Sequence, residues 1–256
     1  MTDLPTLLAA AEPIENGFVS HVPPSWLQGR TAYGGLSSAM ALHAARMASP
    51  DLPPLRSAQI AFIGPLAGAV RATATVLRRG RNAAFVQADI AGEAGLGFRA
   101  TFVFMRALAS TVAHDERPPA PLTPPAPNAN LYVGPEGFFT GNFEFFDQKA
   151  TQRPAEWLRW ARLRQRDGLD PATELMAIGD GLPPAAFRLF AAPTPLSSLT
   201  WQVDLIDPAP ATRDGWWLLH AESDFARDGF STQRMRVWNA DGALVAAGMQ
   251  GVAIFG

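Results

Sequence analysis

Residues Gly29–Ala48 read GRTAYGGLSSAMALHAARMA, and the rest of the chain is organised around this stretch. Leu36, Ala39, Met40, Leu42, Ala44, Ala45 and Met47 are strong helix formers or small apolar residues, and Pro50 closes the run. The spacing predicts a helix of about three turns or slightly more, buried almost all round because nearly every face is Ala, Leu or Met. Gly34 and Gly35 let the backbone approach a ligand where the unpaired N–H groups and the positive end of a helix point outward. Gly34, Gly35 and Leu36 are therefore candidates for holding an anionic oxygen. A Gly-Gly pair ahead of a helix is also, with equal weight, a plain tight turn. Gly29 and Gly34 have the spacing of a phosphate-binding loop, but Gly35 and Leu36 stand where Lys and Ser/Thr belong, which excludes that reading.

The 256 residues, 48% hydrophobic and 17% charged, suffice for a substantial core in one large domain or two small ones. A net charge of −2 and a pI near 6.1 point away from nucleic acid and from anionic membrane surfaces. Cysteine is absent, so disulfides and thiolate chemistry are excluded, in keeping with a reducing compartment. The opening MTDLPTLLAAAEPIENG has an early Asp and no basic region, and so does not read as a signal peptide. No apolar run reaches the ~20 residues of a membrane span, and the expected location is cytoplasmic. His21, His43, His114 and His220 are dispersed, with no HExxH, so a protein-bound metal is not expected.

Downstream of the helix, Leu55–Ile63, Val70–Leu77, Ala84–Ile90 and Leu96–Met105 alternate as strands, with a hairpin at Arg78–Asn82. A helix followed by four strands on short turns predicts an antiparallel sheet wrapped around one helix. Six prolines between Pro118 and Pro127 then mark an extended linker. Gly137–Phe146 (GFFTGNFEFF) begins a second sheet, or lines a tunnel. Glu156–Arg164 reads as a strand, with a short helix as the competing reading. Asp170-Pro171 is a favourable start for a helix through about Ile178, stopped at Gly179-Asp180-Gly181. Ser198–Ile206, Trp216–Ser223, Phe230–Trp238 and Leu244–Ile254 complete a second set of strands.

Matching Pro65 to Pro208 lays the halves on each other: Ser57 meets Thr200, Gln59 meets Gln202, and Val103 falls near Gln250. The expected class is α+β, two tandem helix-wrapped antiparallel sheets forming an intramolecular pseudo-dimer, with sites where the halves meet.

The order AYGGLSSAMALHAARM, RSAQIAFIGPL and the RRGRN hairpin, followed by SLTWQVDLIDP, WWLLHAES and DGALVAAGMQG, resembles the double hotdog proteins of the acyl-CoA thioesterase II type. The resemblance covers roughly Asn16–Arg106 and Trp157–Gly256. It implies an N-terminal hotdog over 1–107, a Pro-rich linker over 108–136 and a C-terminal hotdog over 137–256. It also implies hydrolysis of fatty acyl-CoA to free acid and CoA without a cofactor, and acyl-CoA as the partner. Further association of copies is compatible with such sheets. The family supplies an Asp, a Ser/Thr and a Gln that orient a water. The Gln matches Gln250. The Asp position holds Thr200 and the Ser/Thr position holds Asp224, as if carboxylate and hydroxyl had exchanged strands.

On that alignment Asp224 is the expected base, Thr200 and Gln250 position the water, and N–H groups near Gly35 and Leu36 face the thioester oxygen. Gln202 and Asp204 share a face with Thr200, and Asp204 is a second candidate carboxylate. The bland readings are a β-forming Thr, a solvated turn Asp at 224 and a buried amide at 250. Ser57 and Gln59 have no carboxylate beside them, which favours one working site. His43, among alanines, reads as core. Arg78, Arg79 and Arg81 form a turn that meets CoA phosphates or is merely solvated. Two alternatives keep the fold: a non-catalytic acyl or acyl-CoA binder, and an enoyl-CoA hydratase, for which no histidine has the expected company.

Overall fold

The computed structural model describes residues 2–148, 153–192 and 194–255; Gly256, the end of the resemblance and of the expected second unit, lies outside them. The order of elements is α1 (Leu4–Ala9), β1 (Glu12–Ile14), β2 (Gly17–Val22), β3 (Leu27–Gln28), β4 (Thr31–Ala32), α2 (Gly34–Ala48), β5 (Leu55–Phe62), β6 (Gly68–Arg79), β7 (Ala83–Gly92) and β8 (Gly95–Met105). There follow β9 (Tyr132–Val133), β10 (Phe143–Phe146), β11 (Glu156–Leu163), α3 (Pro171–Gly179), β12 (Leu196–Leu205), β13 (Trp217–Arg227), β14 (Phe230–Asn239) and β15 (Leu244–Ile254). Glu156–Leu163 is a strand, not the competing helix. The N-terminal residues join the same fold: α1 packs Leu4 and Leu7 into the core, and β1 and β2 extend the sheet beyond β6.

Thirteen strands of the described residues form one antiparallel sheet in the order β1-β2-β6-β7-β8-β5-β12-β15-β14-β13-β11-β10-β9. The halves join where β5 pairs with β12, with Gln59 opposite Gln202. These two glutamines are also the equivalent positions of the internal repeat. A cross-strand pair of equivalent residues marks a pseudo-twofold axis, which therefore passes between them.

One face of the sheet carries the apolar residues of every strand but β1 and β9 and wraps α2 and α3. Leu36, Ala39, Ala41, Leu42, Ala44 and Ala45 of α2 are fully buried, so small side chains let the sheet curl round the helix. The two helices run antiparallel and side by side. Tyr33, ahead of α2, donates its phenol to the Ala177 carbonyl of α3 (2.7 Å), and at the other end Arg46 pairs with Asp170. A Cβ at Gly35 would overlap the Ala177 carbonyl oxygen, so glycine sets the spacing of the helices.

The Pro-rich stretch is a strap. Its Pro118 carbonyl accepts from Trp238 Nε1 (2.9 Å), and Ala120 and Leu122 cover a second apolar cluster of Trp160, Leu218 and Trp238 on the outer face. No helix among the described residues is long and apolar enough to cross a membrane.

Candidate active site

Four strands contribute one inward-facing row. Ile60 of β5 lies beside Trp201 of β12, Trp201 beside Gln250 of β15, and Gln250 beside Gln233 of β14. Gln250 and Gln233 are 3% and 2% exposed, so each amide must find partners within the protein. They do so in series. The Ala185 backbone N–H donates to Gln233 Oε1 (2.7 Å), Gln233 Nε2 to Gln250 Oε1 (2.7 Å), and Gln250 Nε2 to Asp180 Oδ1 (2.8 Å).

Asp180 follows the last residue of α3. The helix starts as its sequence dictates, with Asp170 capping Ala172 and Thr173 and Pro171 in the first turn. At its far end Asp180 leaves the helix, and Gly181 N–H closes on the Ile178 carbonyl (2.8 Å). This presents the Asp180 carboxylate to the start of α2. A Cβ at Gly34 would collide with Asp180 Oδ2 and stand 2.7 Å from the Phe62 ring. Glycine at 34 is thus required by close approach. The start of α2 has no side-chain cap, so its first-turn N–H groups have no acceptor within the helix.

Asp180 keeps a little accessible surface, but burial penalises its charge and raises its pKa to about 7, against the lowering effect of the Gln250 hydrogen bond. Its charge in turn helps burial to push the Tyr33 phenol well above its ordinary value. Tyr33 is fixed from behind by Phe139, stacked at 4.3 Å, and by Trp26 and Phe143. Phe139, Phe143 and Phe145 are buried core, and the first two pack on Tyr33 ahead of α2. The buried indole N–H of Trp201 has no hydrogen-bond partner, and its ring lies against Gly179.

The opposite helix junction is closed. Asp170 fills the start of α3, and Arg46 and Thr173 outweigh burial to hold its carboxyl below the usual range. One junction is thus open with a carboxylate beside it, and its pseudo-symmetric counterpart is capped and neutralised.

The residues expected from sequence separate into two groups. Gly34, Gly35, Leu36 and Gln250 lie on the helix side of the sheet. Thr200 and Gln202 do not: Thr200 pairs with Ala61 and Gly251, Gln202 with Gln59 and Met249, and all face the outer side. There they line a groove of about 530 Å³ with Arg99 and Thr232. Asp204, two residues further along, is exposed on the same side. Asp224 lies at a bulge in β13, exposed and ion-paired with Arg153 and Arg234 (2.7 Å to the latter), and these guanidinium groups hold its carboxyl below the ordinary value. Arg234 alternates with Gln233, which puts Asp224 across the sheet from Gln250. Arg79 is engaged by Ser49 Oγ and the Pro50 and Asp51 carbonyls, closing the loop after α2.

Asp180 is the residue that sequence reasoning missed. Its one signal is an Asp between two glycines at the end of an apolar helix, which also describes an ordinary helix stop. Glu156, His220 and Glu222 come together on the outer face, where Arg153, Arg234 and Arg236 surround Glu222 in an ion-pair network.

Residues 22–111 match the family model of the acyl-CoA thioesterase N-terminal domain, and residues 110–254 that of the acyl-CoA thioesterase C-terminal domain. The chain belongs to the acyl-CoA thioesterase family and is a thioester hydrolase. A candidate thioesterase II from Thermobifida fusca superposes with a TM-score of 0.83 at 22% identity, over 99% of this chain and 98% of that one. A hot dog fold protein of unknown function from Alicyclobacillus acidocaldarius gives 0.79 at 20%, over 98% and 97%. The TesB protein of Mycobacterium avium subsp. paratuberculosis gives 0.79 at 19%, also over 98% and 97%. These likenesses show the double hotdog fold over the whole chain. No curated protein matches the sequence.

Proposed function

We propose that the acyl-CoA thioester is hydrolysed at the junction of Asp180, Gln250 and the start of α2, with Asp180 as general base. The observation that carries this is Asp180 Oδ2, set against Gly34 at an uncapped helix start while Gln250 holds Oδ1. Oδ2 takes a proton from a water whose oxygen bonds to the thioester carbonyl carbon. The carbonyl electrons move to oxygen, and the N–H groups of Gly35 and Leu36 stabilise that oxyanion together with the positive end of α2. Collapse breaks the C–S bond, and the departing CoA sulfur recovers the proton, leaving free acid and CoA.

A base with a pKa near 7 matches this task, since a large share of it is ionised at neutral pH and it is still basic enough to accept the proton. Ser198, which the register sets beside Val252, the next inward position after Gln250, is the hydroxyl offered to the water. The free indole N–H of Trp201 is a further donor in this wall.

The two units that meet across the β5–β12 seam are 1–107 and 137–256, with 108–136 as the strap. The same reading places the reaction in cytoplasmic fatty acid metabolism, in keeping with the family's substrate and a chain without cysteine. Association of copies would use the exposed outer face near Met249 and Phe230, and sedimentation tests it.

The experiment is release of free thiol from acyl-CoAs of graded chain length, by the native protein and by Asp180→Asn. The native protein turns over, and turnover by the variant falls by about 10³-fold. Undiminished turnover by the variant would remove Asp180 from the mechanism.

A further inference from the structure

Gln233 lies one strand beyond Gln250, and its hydrogen bonds among the described residues go to Ala185 and Gln250, not to the start of α2 or to Asp180. Yet it is 2% exposed, and both ends of its amide are engaged, with Ala185 and with Gln250. The order of donors and acceptors along this series is fixed from one end. A backbone N–H can only donate, so the Ala185 amide faces an oxygen, and Oε1 of Gln233 must turn towards it. The Gln233 NH₂ then faces Gln250 and requires an oxygen there. That leaves the Gln250 NH₂ facing Asp180.

We propose that Gln233 is a positioning residue for the hydrolysis: by presenting its NH₂ to Gln250 it fixes which end of the Gln250 amide meets Asp180. Without it, the Gln250 amide is free to turn over, and its oxygen would then oppose the Asp180 carboxylate. With it, Asp180 Oδ1 is always an acceptor, and the only atom of that carboxyl that exchanges a proton is Oδ2, on the side of Gly34. The series also links the base to the Ala185–Leu189 turn, so this short segment sets the polarity of the site from outside it.

This inference rests on Asp180 being the base. The groups packed around Asp180 are few. Gly34 and the Tyr33 phenol come from the α2 side, Phe62 from β5, Gln250 from β15, and Trp201 of β12 packs on the neighbouring Gly179. Tyr33 is the titratable member of this set, and burial keeps it neutral.

The test is the pH dependence of kcat for Gln233→Leu, which fills similar volume but cannot donate, alongside Asp180→Asn. Loss of the directing hydrogen bond weakens the ionised form of Asp180. The acid limb should move to higher pH by about half to one unit, the worth of one hydrogen bond. Turnover should recover towards the native value above about pH 8.5, with KM within about twofold. A merely structural role would lower kcat equally at every pH, and that result, or a limb that does not move, overturns the proposal. If Gln233→Leu fails to fold, Gln233→Met, which likewise has no NH₂ to present to Gln250, takes its place. It should shift the limb in the same direction by about half to one unit, and an unmoved limb there overturns the proposal equally. Retained turnover in Asp180→Asn would overturn the base assignment and this inference together. Loss of turnover there, with native pH profiles at position 233, would overturn the inference alone.

Discussion

Asp180 and Gln250 stand 70 residues apart in the chain and meet through one hydrogen bond, Gln250 Nε2 to Asp180 Oδ1 at 2.8 Å. That contact joins the end of α3 to the last strand and leaves the second carboxylate oxygen facing the start of α2.

Removing the charge of Asp180 should separate activity from stability. Asp180→Asn should lower kcat by about 10³-fold, within the range of a general base, while circular dichroism stays native. Its effect on stability has a defined sign. The native carboxyl holds its proton up to about pH 7, whereas the unfolded one loses it near its ordinary value of 3.8. Folding therefore binds a proton between these values, and native stability falls as pH rises through that window. At pH 8 the variant should be more stable than the native protein by a few kcal/mol, and at pH 4 the gain should vanish. Thermal melts at the two pH values check this.

The pH profile of the native enzyme should show an acid limb with a midpoint near 7, the pKa to which burial raises Asp180. Gln250→Leu removes the hydrogen bond that opposes burial, so its residual activity should titrate at higher pH. A native midpoint in the ordinary carboxylate range would contradict the burial of the base.

The two glycines ahead of α2 should fail differently. Gly34→Ala drives a methyl group into Asp180 Oδ2 and the Phe62 ring, so turnover should fall by about 10²-fold or more with a modest loss of stability. Gly35→Ala meets the backbone oxygen of Ala177, which has no freedom to move unless the helices separate. It should cost about 1–3 kcal/mol of stability, the range for overpacking. Denaturant unfolding and thiol release on the same samples distinguish the two.

Asp224→Asn and Thr200→Val should leave turnover within about twofold. Asp224 is an exposed ion pair, worth little on a surface. Thr200 points to the outer side of the sheet. A large loss of turnover from either variant would move the site to the outer face.

Much of the fold was legible in the sequence because it rests on local chemistry. Alternation marked β5 to β8 and β12 to β15, Gly and Pro marked their ends, and Asp170-Pro171 marked the start of α3. Repetition of the pattern disclosed two equivalent halves, and Gln59 and Gln202 do meet at their seam. The N-terminal arm escaped because β1, EPI, is only three residues long and β2, GFVSHV, has little alternation.

The placement of Gln250 on an apolar strand was also visible in sequence, but what surrounds it was decided only in three dimensions. Strand alternation says which residues share a face, not which face holds the helices, and one extra residue exchanges them. The bulge between Ser198 and Thr200 sends these two hydroxyls to opposite sides of the sheet, although they are two residues apart. Asp224 is bound by Arg153, 71 residues away in sequence. Asp180 has the local sequence of any helix end. It becomes a buried carboxyl of raised pKa only because antiparallel packing of α2 on α3 brings Gly34 against it and because Gln250 arrives from the last strand. Sequence determined the elements, since their propensities act over a few residues. Tertiary structure decided the surroundings of Asp180, since desolvation and long-range hydrogen bonds exist only once those elements are packed.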